Sequence, residues 1–411
     1  MRFKALWCVL FSLALVGMTG CGDDSSGGGS TGEGLLGPGG GSGGGDSNST
    51  ASNATVNNST VSNNGTMDSN GTMTRTLAIL GNGAHTMDAV VADRMLGAPE
   101  GLAGPRDLEF KPDAEMELWV LNQDDNSMTI VQNVGSPIQD IMTVSHFSGG
   151  HFMIKPMSLA FGQMGKLATI HETDEITQPT TPADFMGPTL HSSRLNEFDG
   201  GHGGHMDMLH NSPNGVGIAW ERDNIYWIFD GYHSAITRYN FNSDHGLGGS
   251  DHSDGEVDRF IEGEVARVPG VLSKLVFDQT TQMIYIADSG NNRILMLDPE
   301  SGIVGGRISP NYDGIRQNMR DNAEFSVVVD GAVDDVMVRP SGIVLHNDVL
   351  FVTDNARGRI LGFDRADGTL IDYLDTGLPD GALMGIAFDA SGHLYYVDAA
   401  SEEVWRVKPL M

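Results

Sequence analysis

Beyond residue 75 the apolar positions come in short bursts separated by Gly- and Asp-rich turns, and no stretch keeps an apolar helical period over three turns. The clearest pair of bursts is Ile284-Tyr-Ile-Ala-Asp-Ser-Gly-Asn-Asn-Arg-Ile-Leu-Met-Leu-Asp298, and Leu350-Phe-Val-Thr-Asp-Asn-Ala-Arg-Gly-Arg-Ile-Leu-Gly-Phe-Asp364 repeats it. Runs of Val, Ile, Phe, Tyr and Trp bounded by such turns predict β-strands joined as hairpins. Six copies can be counted. The predicted first strands are Asp107–Phe110, Met157–Phe161, Val216–Trp220, Ser273–Phe277, Ser341–Leu345 and Met384–Phe388. The second strands are predicted at Leu118–Leu121, Leu167–Ile170, Ile225–Phe229, Ile284–Ala287, Leu350–Thr353 and Leu394–Val397.

A unit of this size cannot bury its own apolar faces, so several copies must pack side by side. From Asp354 to Asp398 the pattern advances by 44 residues, close to the period of a four-stranded propeller blade. The last unit ends at Val404-Trp-Arg-Val407 with no room for a fourth strand, while Thr76-Leu-Ala-Ile-Leu80 is an orphan strand at the other end. Pairing the two would close a ring and remove two exposed sheet edges. The expected fold is therefore all-β, a six-bladed β-propeller over residues 75–411. Its Gly385-Ile-Ala-Phe-Asp389, Leu394-Tyr-Tyr-Val-Asp398 and Asn292-Arg-Ile294 segments resemble the NHL repeat of β-propellers. The resemblance covers most of residues 104–408; it is good in units three to six, fair in unit one and poor in unit two.

The first 74 residues follow a different pattern. Arg2 and Lys4 precede an apolar run, Leu6 to Val16, of the length used by export signals and too short for a membrane span. The run ends in Met18-Thr-Gly-Cys21, which resembles the lipobox of bacterial lipoproteins. That resemblance implies a signal peptide over 1–20, lipidation of Cys21 and a place in the bacterial cell envelope, on its periplasmic or extracellular side. Residues 21–74 are Gly, Ser, Asn and Thr with almost no apolar content, the composition of a disordered tether. Both cysteines, Cys8 and Cys21, lie in the leader region, so the folded part carries neither thiol nor disulfide. With 54 acidic against 24 basic residues the chain has a formal charge of −30. Nucleic acid and anionic membrane surfaces are thereby disfavoured as partners, leaving the lipid as the only membrane contact.

Candidate chemistry gathers where each second strand ends, on the propeller face that usually carries ligands. The residues there are Asn122, His171, Asp230, Asp288, Asp354 and Asp398. Four aspartates in a ring suit a hard cation such as calcium, although Asp at a strand end also accepts bonds from the following turn. Seven of the 13 histidines fall between residues 191 and 252. The segment Gly200-Gly-His-Gly-Gly-His-Met-Asp-Met-Leu-His210 precedes the first strand of unit three, and Asp230-Gly-Tyr-His233 follows its second. Together they offer His205, His210 and His233 as ligands to one zinc or copper ion, since imidazole suits these metals. Tyr232 lies beside them. The acidic loop 244–255 should lie on the opposite face; its Asp251, Ser253 and Asp254 have the alternating oxygens of a calcium loop, or of a plain turn.

Asp230-Gly-Tyr232 also looks locally like the tyrosine-bearing blade of peptidyl-hydroxyglycine amidating lyases. That family would require histidine ligands near the later first strands, where this chain has Leu272, Ser273, Ser341 and Met384. The expected function is an exported, lipid-anchored module that binds a protein or small-molecule ligand, with metal binding open. The alternative is a metal-dependent lyase or lactonase-type hydrolase working on the unit-two and unit-three side of the ligand face.

Overall fold

A computed structural model of the chain describes residues 66–67, 73–114, 116–145, 152–163, 165–173, 186–200 and 204–410. The leader, Cys21, nearly all of the tether, His202 and the acidic stretch 174–185 lie outside them. Six antiparallel sheets make six blades. Blade one is Pro105–Phe110, Leu118–Asn122, Ser127–Gln132 and Asp140–Ser145; blade two is Pro156–Phe161, Lys166–His171, Thr189–Ser192 and His205–Met208. Blade three runs through Gly215–Arg222, Ile225–Asp230, Ala235–Asn240 and Glu256–Phe260; blade four is Leu275–Asp278, Met283–Asp288, Arg293–Leu297 and Phe325–Asp330. Blade five is Pro340–His346, Val349–Asp354, Arg359–Asp364 and Leu370–Asp375. Blade six takes Leu383–Phe388, Leu394–Asp398 and Glu403–Pro409 from the C-terminal end. The repeat thus forms the six-bladed β-propeller expected of it. Among the described residues no helix is long and apolar enough to cross a membrane.

Ring closure follows the expected principle with a different strand. The fourth strand of blade six is Val90–Leu96, antiparallel to Glu403–Pro409. Thr76–Leu80 instead contributes a 3₁₀ turn at Ala78–Leu80, and Leu77, Ile79 and Leu80 are buried among Val349, Phe351 and Leu374 between blades five and six. The reason is polarity. An outer strand is half exposed, and Val90-Val-Ala-Asp-Arg-Met-Leu96 supplies the mixed faces that Thr76-Leu-Ala-Ile-Leu80 lacks. Asp93 meets Arg406 at 2.8 Å and Lys408 at 2.7 Å, and Arg94 meets Glu403 at 2.7 Å across the same seam.

Blade three has two strands more than expected. The connection between the third and fourth strands of blade four throws out a hairpin, Ile303–Arg307 and Arg316–Asp321. Its second arm runs parallel to Glu256–Phe260 and extends that sheet to six strands. Ion pairs hold the addition: Arg316 meets Glu256 at 2.7 Å and Asp258 at 3.1 Å, and Arg320 meets Asp258 at 3.0 Å. Its Arg-Gln-Asn-Met-Arg-Asp sequence has no apolar alternation, which is why periodicity misses it.

The recurrent Gly of the first strands answers to crowding near the axis. A methyl group on Gly217 would stand 1.8 Å from the Ser273 carbonyl oxygen of blade four. The equivalent group on Gly342 would stand 2.7 Å from the Met384 carbonyl oxygen, and on Gly385 2.8 Å from Asp107 Oδ1. Five of the six first strands also shift register against their second strand at this level, at Pro105/Asp107, Pro156/Ser158, Gly215/Gly217, Pro340/Ile343 and Leu383/Ile386. Such bulges bend a strand and free its end from the ladder.

Charge is buried at the axis. Asp107 of blade one accepts bonds from Lys274 Nζ of blade four at 2.7 Å, Ser158 Oγ at 2.6 Å and Leu159 N at 3.1 Å. Lys274 also donates to the Leu159 carbonyl at 3.2 Å. Burial works against the ammonium, yet Asp107 and Glu109 outweigh it and raise its affinity for the proton. Glu109 lies nearby and accepts the Phe161 amide at 2.9 Å. Burial raises its carboxyl from 4.5 to about 7; Lys274 opposes the rise and Asp107 adds to it.

Two outcomes are expected. Gly217→Ala forces the first strands of blades three and four apart and should lower stability by about 1–3 kcal/mol in chemical denaturation, the usual cost of overpacking. Glu109 stays protonated in the fold to about pH 7 but ionises near 4.5 when unfolded. Its contribution is therefore fully present below about pH 4.5 and declines as pH rises to about 7, by roughly 3 kcal/mol over the whole interval. Urea melts of Glu109→Gln at pH 5 and pH 8 should lack the loss seen in the parent chain; parallel losses would refute the assignment.

Candidate functional site

The ends of the second strands form a ring of buried polar residues, and most of its carboxylate oxygens are already engaged. Asp288 accepts from Ala266 N at 2.8 Å, Asn291 Nδ2 at 2.9 Å and Arg293 Nε at 2.8 Å. Asp354 accepts from the Val338, Arg339 and Ala356 amides at 3.0, 3.0 and 3.2 Å. Asp398 accepts from Ala400 N at 3.1 Å and Ser401 N at 3.2 Å. Asn122 fills the same place in blade one, taking the Ala103 amide at 3.2 Å. Each side chain ties its own turn, and in several blades the preceding connection as well. Arg293 pairs with the ring aspartate of its blade, but Arg359 turns to Asp375 at 3.7 Å and lies over the Tyr373 ring. His171 shares Thr169 Oγ1 with His191, each at 3.1 Å.

The three histidines expected to share a metal have separate surroundings. His233 Nδ1 is 2.8 Å from Asp230 Oδ2, whose carboxylate also takes the His233 amide at 3.0 Å and Ser212 Oγ at 3.1 Å. Arg259 stands 3.6 Å from the same carboxylate. His210 Nδ1 is 2.6 Å from Asp313 Oδ1, on the loop of the inserted hairpin, and its amide reaches Asp313 Oδ2 at 2.9 Å. His205 opens the outer strand of blade two, His205–Met208. At about 3.3 Å per residue that strand carries His205 away from His210, to the opposite face. Tyr232 remains on the ligand face, 55 % exposed, with its ring edge-on to His233 at 4.8 Å.

The opposite face holds an unexpected cluster. The loop between the third and fourth strands of blade three brings His245 and His252 to Asp207 of blade two. His205 lies beside them, its ring 4.8 Å from that of His245 and 6.1 Å from that of His252. Asp207 is 1 % exposed; burial raises its carboxyl, and the bond from His252 acts against the rise. Asp251 makes an ordinary turn bond, accepting Ser253 N at 3.1 Å, and Asp254 closes the loop across its base, accepting Ser243 N at 3.1 Å.

On the ligand face, turns of blades one to three and the entry to blade four surround a hollow of about 470 Å³. Gln123, Asp124, Lys155, Glu172, Asn214 and Arg267 line it. Arg267 pairs with Glu172 Oε1, which also accepts the Gly270 amide at 2.9 Å. Behind the wall, Arg106 donates to Gln123 Oε1 at 3.1 Å and lies 4.0 Å from Asp124; burial holds its guanidinium below the ordinary value. Lys155 is exposed at the mouth of the hollow. The three basic groups were missed by sequence reasoning. For two of them the signal was positional: Pro105-Arg106 and Lys155-Pro156 place scarce basic residues at the entry to first strands.

No family model matches the chain, and no curated protein does. Among solved structures it resembles an auxiliary nutrient binding protein from Bacteroides ovatus, at 14 % identity over 78 % of this chain and 77 % of that one, with a TM-score of 0.50. A second, from Bacteroides thetaiotaomicron, matches at 12 % identity over 75 % of this chain and 69 % of the other, with a TM-score of 0.51. These likenesses agree with the fold: the chain is a six-bladed β-propeller.

Proposed function

We propose that the protein is an exported, lipid-anchored binding module that takes a small ligand bearing a carboxylate or similar anionic group. The observation that carries this reading is the ligand-face hollow, where Lys155 and Arg267 converge in front of Arg106 on a chain of net charge −30. In so acidic a molecule, a hollow lined by Lys155 and Arg267 against only Asp124 and Glu172, with Arg106 behind its wall, is an exception to the surrounding field and would draw a small anion to that place. The Glu172–Arg267 pair and the Gly270 amide fix the guanidinium, so a ligand meets a pre-arranged donor. Asn214 and Gln123 add polar groups for orientation. The Bacteroides proteins bearing the nutrient-binding name support the idea that such a ring can serve as a binding module. The ring aspartates act in this reading as struts that hold the turns from which the hollow is built.

Thermal-shift titration of the full chain with a panel of small di- and tricarboxylates and neutral sugars tests the proposal. Some carboxylates should raise the melting temperature, and Lys155→Ala should weaken their binding about tenfold, the effect of one lost charged hydrogen bond. A response to neutral sugars alone, or one that Lys155→Ala leaves unchanged, would count against it. The anchor has its own readout. Cys21→Ser should move the protein from the membrane to the soluble fraction; retention on the membrane would contradict lipidation.

A further inference from the structure

We propose that Asp207, His245 and His252 form a zinc site on the face opposite the ligand hollow. The three can each offer one ligand atom, all within 4.8 Å of one another. Asp207 is anchored through Oδ1, which accepts its neighbour's amide, Met208 N, at 2.7 Å and lies 2.7 Å from His252 Nδ1. Its other oxygen, Oδ2, is buried and has no hydrogen-bond partner among the described residues. A buried carboxylate oxygen without a partner is costly, and a cation beside it would remove that cost.

The histidine opposite is arranged to complete the site. His245 Nδ1 lies 2.6 Å from the Gly246 carbonyl, a contact that requires the proton on Nδ1. Nε2 then carries the lone pair, and it too is buried without a partner among the described residues. A metal-bound imidazole commonly shows this arrangement, one nitrogen donating to a carbonyl and the other facing the ion. The loop is held in place before any ion arrives. His245 N donates to the Met206 carbonyl at 3.2 Å, and Lys166 grips Asp244 at 2.6 Å.

Two imidazoles and a carboxylate are a nitrogen and oxygen set that suits Zn²⁺, and the folded part has no thiolate to favour a softer ion. Three protein ligands leave a fourth position. His252 and His205 also line a hollow of about 540 Å³ between blades two and three, from which water or a further group can reach it. The ion would join the outer strand of blade two to the loop of blade three, two elements that share no sheet.

The test uses the full chain in detergent, stripped with a chelator and titrated with Zn²⁺ by calorimetry and with Co²⁺ by visible absorption. One saturable equivalent is expected, with the d–d band of four-coordinate Co²⁺ and its displacement by Zn²⁺. The double variant His245→Ala, His252→Ala should lose more than about 100-fold in affinity, beyond the effect of losing an outer-shell partner alone. Asp207→Asn preserves volume and the bond from Met208, and decides the matter if the double variant does not fold. His85→Ala, in the N-terminal segment that stacks on Tyr373 of blade five, should bind as the parent does. No saturable equivalent in the parent, or parent-like uptake by Asp207→Asn or the double variant, would overturn the site.

Discussion

Room around the axis is the constraint on which the rest of the molecule depends. Six first strands must converge there, and the backbone of one blade comes so close to the next that no side chain fits at Gly217. Glycine at that place, with the bulges that bend five of the first strands, lets each sheet enter the ring as a wedge. The convergence also buries Asp107 and Lys274 and half-buries Glu109; the first two satisfy one another and Glu109 takes a backbone amide, as polar groups withdrawn from water must. Leu, Ile and Phe side chains between adjacent sheets then fill the outer volume of the wedges.

A ring built on this constraint presents two faces with different freedoms. Turns after the second strands are tied down by Asp288, Asp354 and Asp398 and give a firm rim, and Asp288 also holds the Ala266 amide beside the ligand hollow. Connections between third and fourth strands lie on the other face. They are where the chain inserts material: the hairpin 303–321 in blade four and the histidine loop 241–255 in blade three. The rim can keep a binding geometry while the other face changes its equipment. Function resides in such local sites and not in the fold that presents them.

The sequence made the blades legible because strand alternation and the Gly-Ile-Ala-Phe pattern are local consequences of packing. What it concealed depends on contacts between distant segments. Val90–Leu96 reads as an unremarkable polar-apolar stretch until Arg406 and Lys408 are seen beside Asp93. The inserted hairpin is held by Arg316 and Arg320 against Asp258, pairings that no periodicity signals. The abundance of histidine was visible, but the expected grouping of His205, His210 and His233 failed on geometry. Four strand residues set His205 at one end of blade two, whereas His252, 47 positions further along the chain, returns to that end. The separate surroundings of His210 and His233 came from Asp313 and Asp230, one remote and one adjacent.

The seam of blade six also orders events in time. Arg94 and Glu403, partners across it, are 309 positions apart. Blades one to five consist largely of neighbouring strands and can assemble as hairpins while the chain is still emerging. Blade six cannot. Strand Val90–Leu96 appears early and must wait, unpaired, until Glu403–Pro409 is made. The entropic cost of so large a loop grows only with the logarithm of its length, but pairing at such separation is slow. Until the last strand arrives, two sheet edges stay open to any other extended chain.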